Sequence, residues 1–418
     1  MKLLQITVFL TVLLVYNYSY AQLCPPDNRF TEAEYFTDNQ ITSRLNVKYG
    51  SAIDWQGNTV DLRFDVYFPK FWVDDLAERP FILMIHGGGF QTGTKAAMTN
   101  YCKEFAKRGF VAATLGYRLG WDTSDPISQL RAMYRAHQDA NAALRFAVRH
   151  ANKARIDTDW MFIGGSSAGA ITSLNVIYQS QADWESVYPG ITNLLGGLDD
   201  SGNNLNNTFD VAGVFNNWGM TATTGITPAE MVPSVAFHGV LDQTTPIGIT
   251  PGPPSFSGSG ALHDALLAND VCSELTVDSL GLHGIYRGND GEDFRVKRAT
   301  CFFKSLFCDN CVSDYLVDSV AANCAQQTAN LTHFTEVGGN TSVFGVYPNP
   351  ADDLLNFSGD WSGYEVILTN AAGQVVRKVG PGMLNNTLDV ADLTPGLYFL
   401  RAKRAIDDSG IVRKIVIQ

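Results

Sequence analysis

Short apolar runs alternate with amphipathic stretches along most of the chain. Residues 46–68 read as two strands, the second alternating cleanly through Val60, Leu62, Phe64 and Val66, the period-two signature of an extended segment with one buried face. Continuous apolar runs follow at 81–85, 110–115, 161–163, 211–215, 235–237 and 275–280, and helical patterns at 95–107, 130–150, from 167 onward and at 294–307. Strands apolar on both faces and separated by helices predict a mostly parallel α/β sheet flanked by helices, opened by an antiparallel edge. Two stretches break the rhythm: 179–207, rich in Gly, Asn and Asp, and 244–260, rich in Pro, Gly and Ser. Both are expected to be loops walling a cleft beyond the carboxyl ends of the strands.

After Cys324 the pattern changes. A polar segment without apolar period gives way, from Val346, to short alternating strands punctuated by Gly, Asn and Pro, a small all-β module. At the other end Lys2 precedes the apolar run 3–15, and Ser19-Tyr20-Ala21 offers a small-x-small cleavage site. A signal peptide cut after Ala21 is expected. The apolar run, interrupted by Gln5 and Thr11, is shorter than the roughly 20 residues of a spanning helix, so no stable membrane insertion is expected. The predicted organisation is a signal peptide at 1–21, a main α/β domain at 22–328, a linker at 329–344 and a C-terminal domain at 345–418.

Composition narrows the partners. The chain has 418 residues, ample hydrophobic content at 45%, and a net charge of -12, which argues against a surface selected for nucleic acid. Seven cysteines, Cys24, Cys102, Cys272, Cys301, Cys308, Cys311 and Cys324, remain after cleavage at Ala21. In an exported protein most should pair, leaving one over, with the connectivity open. Cys308 and Cys311 form a lone C-x-x-C without a second pair or a histidine cluster, so no metal site is expected.

The chemistry concentrates at Gly165-Ser166-Ser167-Ala168-Gly169. The pentapeptide is short enough to occur by chance, but an apolar strand precedes it and a helical stretch follows, the strand-turn-helix setting of a nucleophile elbow. Small flanking residues are required there because the tight turn brings strand and helix together and strains the serine. Upstream, His86-Gly87-Gly88-Gly89-Phe90 follows directly on the strand at 81–85. Amides of Gly88 and Gly89, with that of Ala168, are expected to form an oxyanion hole, with His86 and Gly87 supporting the loop.

An acid and then a histidine are expected downstream of Ser167. Asp242, just beyond the strand at 235–237, fits the acid; Asp264, Asp290, Glu292 and Asp293 are rivals by position. The base is His283 or His263. His283 follows the last strand in a glycine-cushioned loop and is favoured, whereas His263 falls in a helical pattern whose ordinary role is a solvated face. His238 reads as structural. Phe90, Trp121, Trp184 and Trp218 are candidate pocket walls, with core packing as the competing role.

Taken together these motifs resemble the α/β-hydrolase superfamily over about 47–307, and within it the carboxylesterases and hormone-sensitive-lipase-like esterases with an HGGG motif. Further likeness lies in Gly116-Tyr117-Arg118-Leu119-Gly120 and Asp139-Ala140-Asn141-Ala142-Ala143-Leu144-Arg145-Phe146. The resemblance implies acyl transfer from an ester to water by Ser167, Asp242 and His283, with no cofactor and no metal. A small-molecule ester is the first expectation and a polysaccharide-linked ester the second; a serine peptidase and a non-catalytic adhesion protein are further alternatives. The C-terminal module is similar to the sorting domain of type IX secretion through Val346-Tyr347-Pro348-Asn349-Pro350-Ala351, Asn370-Ala371-Ala372-Gly373-Gln374-Val375-Val376, Leu393-Thr394-Pro395-Gly396-Leu397-Tyr398-Phe399-Leu400 and Lys414-Ile415-Val416-Ile417-Gln418. That similarity implies the type IX machinery as a partner and export to the cell surface or beyond.

Overall fold

The computed structural model describes residues 23–24, 27–223, 226–286, 288–317, 324 and, with short gaps, 345–417. The expected signal peptide and linker lie outside the described residues. The chain divides into two compact units at 329/330.

The first unit is built on a nine-stranded sheet, counted among the described residues. Its strands are β1 (Ile41–Ile53), β2 (Thr59–Pro69), β3 (Arg79–Ile85), β4 (Val111–Leu115), β5 (Ile156–Ser166), β6 (Gly213–Asn217), β8 (Ser234–Gly239), β11 (Ser273–Asp278) and β12 (Asp314–Val317), in the spatial order β1-β2-β4-β3-β5-β6-β8-β11-β12. β1, β2 and β4 pair antiparallel, and every later pairing is parallel. The expected mostly parallel sheet with an antiparallel edge is therefore present. A small sheet of β7 (Met220–Ala222), β9 (Ile249–Thr250) and β10 (Phe256–Gly258) lies beside it in the chain.

Helices cover both faces, because β3, β4, β6 and β8 are buried throughout and have no face for water. One apolar cluster joins the sheet to α2 (Ile127–Arg149), α4 (Ala168–Tyr178) and α7 (Ser259–Ala268), while a second joins its other face to α1 (Thr99–Lys107) and α8 (Asn289–Phe307). α3 (Ala151–Ala154) is a single turn after α2.

The segment 179–207 is not a bare loop. It contains α5 (Gln181–Val187) and α6 (Ile191–Leu195), and Ser180 with Asp183 makes a capping box at the first of them. The segment satisfies the buried polar face of α2: Gln138 Nε2 donates to the carbonyls of Leu195 and Gly197, both at 2.9 Å, and Arg145 pairs with Asp199. Trp184 packs edge-on against Tyr134 of α2 and gives its indole N–H to His137. Its role is packing on α2.

Three disulfides are found among the described residues, Cys24–Cys308, Cys272–Cys311 and Cys301–Cys324, with Cys102 free and buried. No helix among the described residues is long and apolar enough to cross a membrane.

The second unit consists of two antiparallel sheets. β13 (Gly345–Tyr347), β14 (Leu354–Ser358) and β17 (Thr387–Asp389) form one; β15 (Tyr364–Asn370), β16 (Val375–Val379), β18 (Gly396–Arg404) and β19 (Gly410–Ile417) form the other. Leu355, Phe357, Trp361, Val366, Leu368, Leu400 and Ile415 share one apolar core.

Candidate active site

Four parallel strands, β3, β5, β8 and β11, end on the same side of the sheet and each delivers one part of the site. β5 runs into Ser167, which stands between strand and α4 at φ 55°, ψ -121°, a conformation an L-residue occupies only when its surroundings enforce it. The enforcement is steric. A side chain on Gly169 would put its Cβ 1.9 Å from the carbonyl oxygen of Ile85, and one on Gly165 would come within 2.3 Å of the same atom. The two glycines let α4 and β5 press against the end of β3, and the serine between them takes the strain.

β8 ends in the loop carrying Asp242, and β11 in the loop carrying His283. The three side chains meet: Ser167 Oγ lies 2.8 Å from His283 Nε2, and His283 Nδ1 lies 2.8 Å from Asp242 Oδ2. Because a carboxylate only accepts, Nδ1 carries the proton and Nε2 is left to accept from the serine hydroxyl. The Asp242 side chain is fully buried, while a quarter of the His283 side chain is exposed. Asp242 Oδ1 also accepts from the amides of Thr244 at 2.8 Å and Thr245 at 3.0 Å, and the Thr245 hydroxyl lies 2.9 Å from Oδ2. Burial alone would raise this carboxyl, but its contacts with His238 and His283 and the donors of Thr245 hold it well below the usual carboxylate range. It stays an anion able to steady an imidazolium.

β3 ends in the glycine loop. Gly88 and Gly89 adopt φ of 118° and 62°, and the Gly88 carbonyl accepts from the amides of Gln91 and Thr92. A Cβ on Gly87 would fall 2.7 Å from the carbonyl oxygen of Ser166 and 3.3 Å from Ser167 Cβ, so the loop lies directly against the nucleophile turn. The amide of Ala168 is in the first turn of α4, where N–H groups lack intrahelical acceptors and the helix dipole favours negative charge. His86 is buried under Tyr117, stacked at 4.5 Å, and contacts the Gly87 carbonyl through Nδ1 at 2.7 Å. Burial lowers its pKa, which suits a neutral ring donating to that carbonyl.

The rivals sit elsewhere. His263 is buried, not solvated as its helical pattern suggested: its Nδ1 contacts Ser273 Oγ at 2.8 Å and its ring packs near Tyr315. Asp293 pairs with Arg108 and Glu292 accepts from Asn100, both across the α1–α8 face. Among the aromatic candidates, Trp218 stands edge-on 6.4 Å from the His283 ring, and Trp121 gives its indole N–H to the Gly89 carbonyl at 3.0 Å. Phe90 is buried in the core beneath the glycine loop.

Two contributors had no role assigned from sequence. Thr245 touches Asp242 and lies 3.2 Å from His283 Nδ1. Arg295 of α8 donates to the carbonyls of Ile285, at 2.8 Å, and Tyr286, bracing the chain just after His283, and its guanidinium lies 5.1 Å from the Trp218 ring centre. Proximity of Thr245 to the acid in sequence was the available signal for the first; the second depends on a contact across the fold.

Comparison with known proteins gives a match in each of the two units. Residues 64–245 match the family described as BD-FAE, an esterase-type α/β-hydrolase family, and residues 345–418 match the secretion system C-terminal sorting domain. Esterase LipI of Mycobacterium tuberculosis is 30% identical over 133 residues, 32% of this chain and 38% of that protein. Methylphloroacetophenone synthase of Cladonia uncialis is 35% identical over 85 residues, 20% of this chain. The chain thus spans under two fifths of the esterase and 3% of the synthase. Among solved structures, a thermophilic esterase of the Planctomycetes species Thermogutta terrifontis with propionate bound is 17% identical with a TM-score of 0.46, covering 66% of this chain and 97% of that one. Residues 64–245 are thus similar to an esterase-type family, and the sorting-domain match at 345–418 indicates export to the cell surface or beyond.

Proposed function

We propose that this chain is an exported serine hydrolase that cleaves carboxylic esters through an acyl-enzyme on Ser167. The observation that carries the reading is the continuous path from Ser167 Oγ through His283 to Asp242, with 2.8 Å at each step. His283 takes the hydroxyl proton as Ser167 attacks the ester carbonyl, and Asp242 holds the imidazole by its Nδ1–H. The amides of Gly88, Gly89 and Ala168 receive the oxyanion of the tetrahedral intermediate, each donor being worth about a hundredfold or more in rate. Collapse releases the alcohol with the proton from His283, and water then frees the acid by the same steps in reverse order. Residues 22–328 are the catalytic domain, 1–21 a removed signal peptide, 329–344 a linker and 345–418 the part that the type IX machinery handles.

A second reading keeps the mechanism and changes the alcohol to a sugar. Export and the BD-FAE match favour it. Hydrolysis of p-nitrophenyl acetate and butyrate, set beside acetylated xylan and feruloylated oligosaccharides, separates simple from carbohydrate esters. Ser167→Ala should abolish turnover on every substrate the wild type accepts; undiminished turnover by that variant would overturn the assignment.

A further inference from the structure

Asp242 is approached by a second histidine. His238, the penultimate residue of β8, is fully buried, and its Nε2 lies 2.7 Å from the Thr245 carbonyl oxygen and 3.4 Å from Asp242 Oδ2. A carbonyl oxygen only accepts, so Nε2 carries a proton and donates it to the Thr245 carbonyl, with the carboxylate oxygen 3.4 Å away beside it. The other nitrogen, Nδ1, is 2.7 Å from Ser259 Oγ, which in turn takes a hydrogen bond from Asn216 Nδ2 at 3.1 Å. With that acceptor role filled by Asn216, the Ser259 hydroxyl proton is available to Nδ1. Asn216 itself is pinned by accepting from the Gly219 amide at 2.8 Å. A buried polar chain therefore runs Asn216, Ser259, His238, Asp242, crossing from the end of β6 through the first turn of α7 to the end of β8. Every ring nitrogen along it has a partner, which fixes one tautomer and one ring orientation.

We infer that His238 is a positioning residue for the catalytic acid: its Nε2–H fixes the Thr245 carbonyl beside Oδ2 of Asp242, the oxygen that faces His283, so that the carboxylate meets His283 in one orientation. The inference rests on the proposed esterase reading. A packing role alone would be met by any side chain of similar size. A positioning role needs a donor at the Nε2 position.

His238→Asn and His238→Gln separate the two. Asn can reach Ser259 but ends short of Asp242, whereas the longer Gln can place an N–H near the Nε2 position. His238→Asn should lower kcat on p-nitrophenyl butyrate by about ten- to hundredfold, the range for losing one hydrogen bond to a charged group, with KM little changed. With one donor fewer, more negative charge faces the His283 imidazolium, so the acidic limb of the kcat/KM profile should move to higher pH. The other groups facing His283, namely Asp242, Thr245, Ser167 and, behind Trp218, the Arg295 cation, are unchanged in both variants. His238→Gln should recover most of kcat and the wild-type limb. Two folded variants with equal kcat and unmoved pH limbs would overturn the inference alone. A wild-type protein that hydrolyses no ester and takes no fluorophosphonate probe would overturn the esterase reading, and this inference with it.

Discussion

Gly169→Ala is the substitution whose cost can be worked most directly from the geometry. The added Cβ would stand 1.9 Å from the Ile85 carbonyl oxygen, 2.5 Å from its carbon and 2.8 Å from the His86 carbonyl oxygen. A carbon and an oxygen settle no closer than about 3.2 Å, so the start of α4 and the end of β3 must part by roughly an ångström. Both carry functional groups, Ser167 and Ala168 on one side and the glycine loop on the other. Overpacking of this kind costs about 1–3 kcal/mol of stability. A displacement near 1 Å between nucleophile and oxyanion donors costs about a hundredfold in rate. Gly89→Ala is the control, because no atom lies within 4 Å of its Cβ and only the positive φ of 62° is strained. The assay is kcat/KM on p-nitrophenyl butyrate together with thermal unfolding of both variants. Gly169→Ala should lose activity well beyond what its loss of stability explains, and far more than Gly89→Ala. A Gly169→Ala enzyme with wild-type kcat/KM would refute the steric account of the nucleophile turn.

Other expectations concern stability and the choice of base. Burial pushes the Asp157 carboxyl up to about 6, with Asp159 and Glu78 adding to the shift against a hydrogen bond from the Asp159 amide. The folded state therefore binds this proton more tightly than the unfolded chain, and stability falls as pH rises from about 4 through 6. Asp157→Asn should leave unfolding unchanged near pH 4 and raise stability by an amount on the order of 2 kcal/mol above pH 7, measured by denaturant titration at both pH values; no pH dependence in the difference contradicts it. The Cys24–Cys308 bridge spans 284 residues, so replacing both with serine should cost up to about 5 kcal/mol, and calorimetry showing an unchanged Tm would argue against its contribution. His283→Ala should lose several orders of magnitude in turnover, whereas His263→Ala should keep its chemistry and lose stability; the opposite ranking in a kinetic comparison would move the base.

Much of the fold was readable because its central strands are buried on both faces. Runs such as 81–85 and 161–163 are apolar without interruption, and only a parallel sheet covered by helices on both sides accounts for them. The candidate site was readable for a related reason. The proposed nucleophile stands between glycines where strand and helix touch, and the proposed oxyanion loop takes positive φ at Gly88 and Gly89, so both leave compositional marks at fixed places. The parts that were not readable depend on contacts between distant segments. The helices in 179–207 are only seven and five residues long, and they form against the polar face of α2; the one local mark was the Ser180–Asp183 capping box. His263 is buried because β12 and Tyr315 cover that side of α7, which no local pattern announces. Cysteine connectivity has no sequence signal, and Arg295 acts on the His283 loop only once α8 has packed against it.

The claim that organises all of this is that Ser167 is the activated nucleophile. Full-length protein incubated with a fluorophosphonate, digested and read by mass spectrometry tests it directly, with Ser167→Ala and Asp242→Asn alongside. A single covalent adduct is expected on the peptide holding Ser167, absent in Ser167→Ala and slowed by orders of magnitude in Asp242→Asn. An adduct on Ser166 or any other residue, or labelling that persists at the wild-type rate in Ser167→Ala, would contradict it.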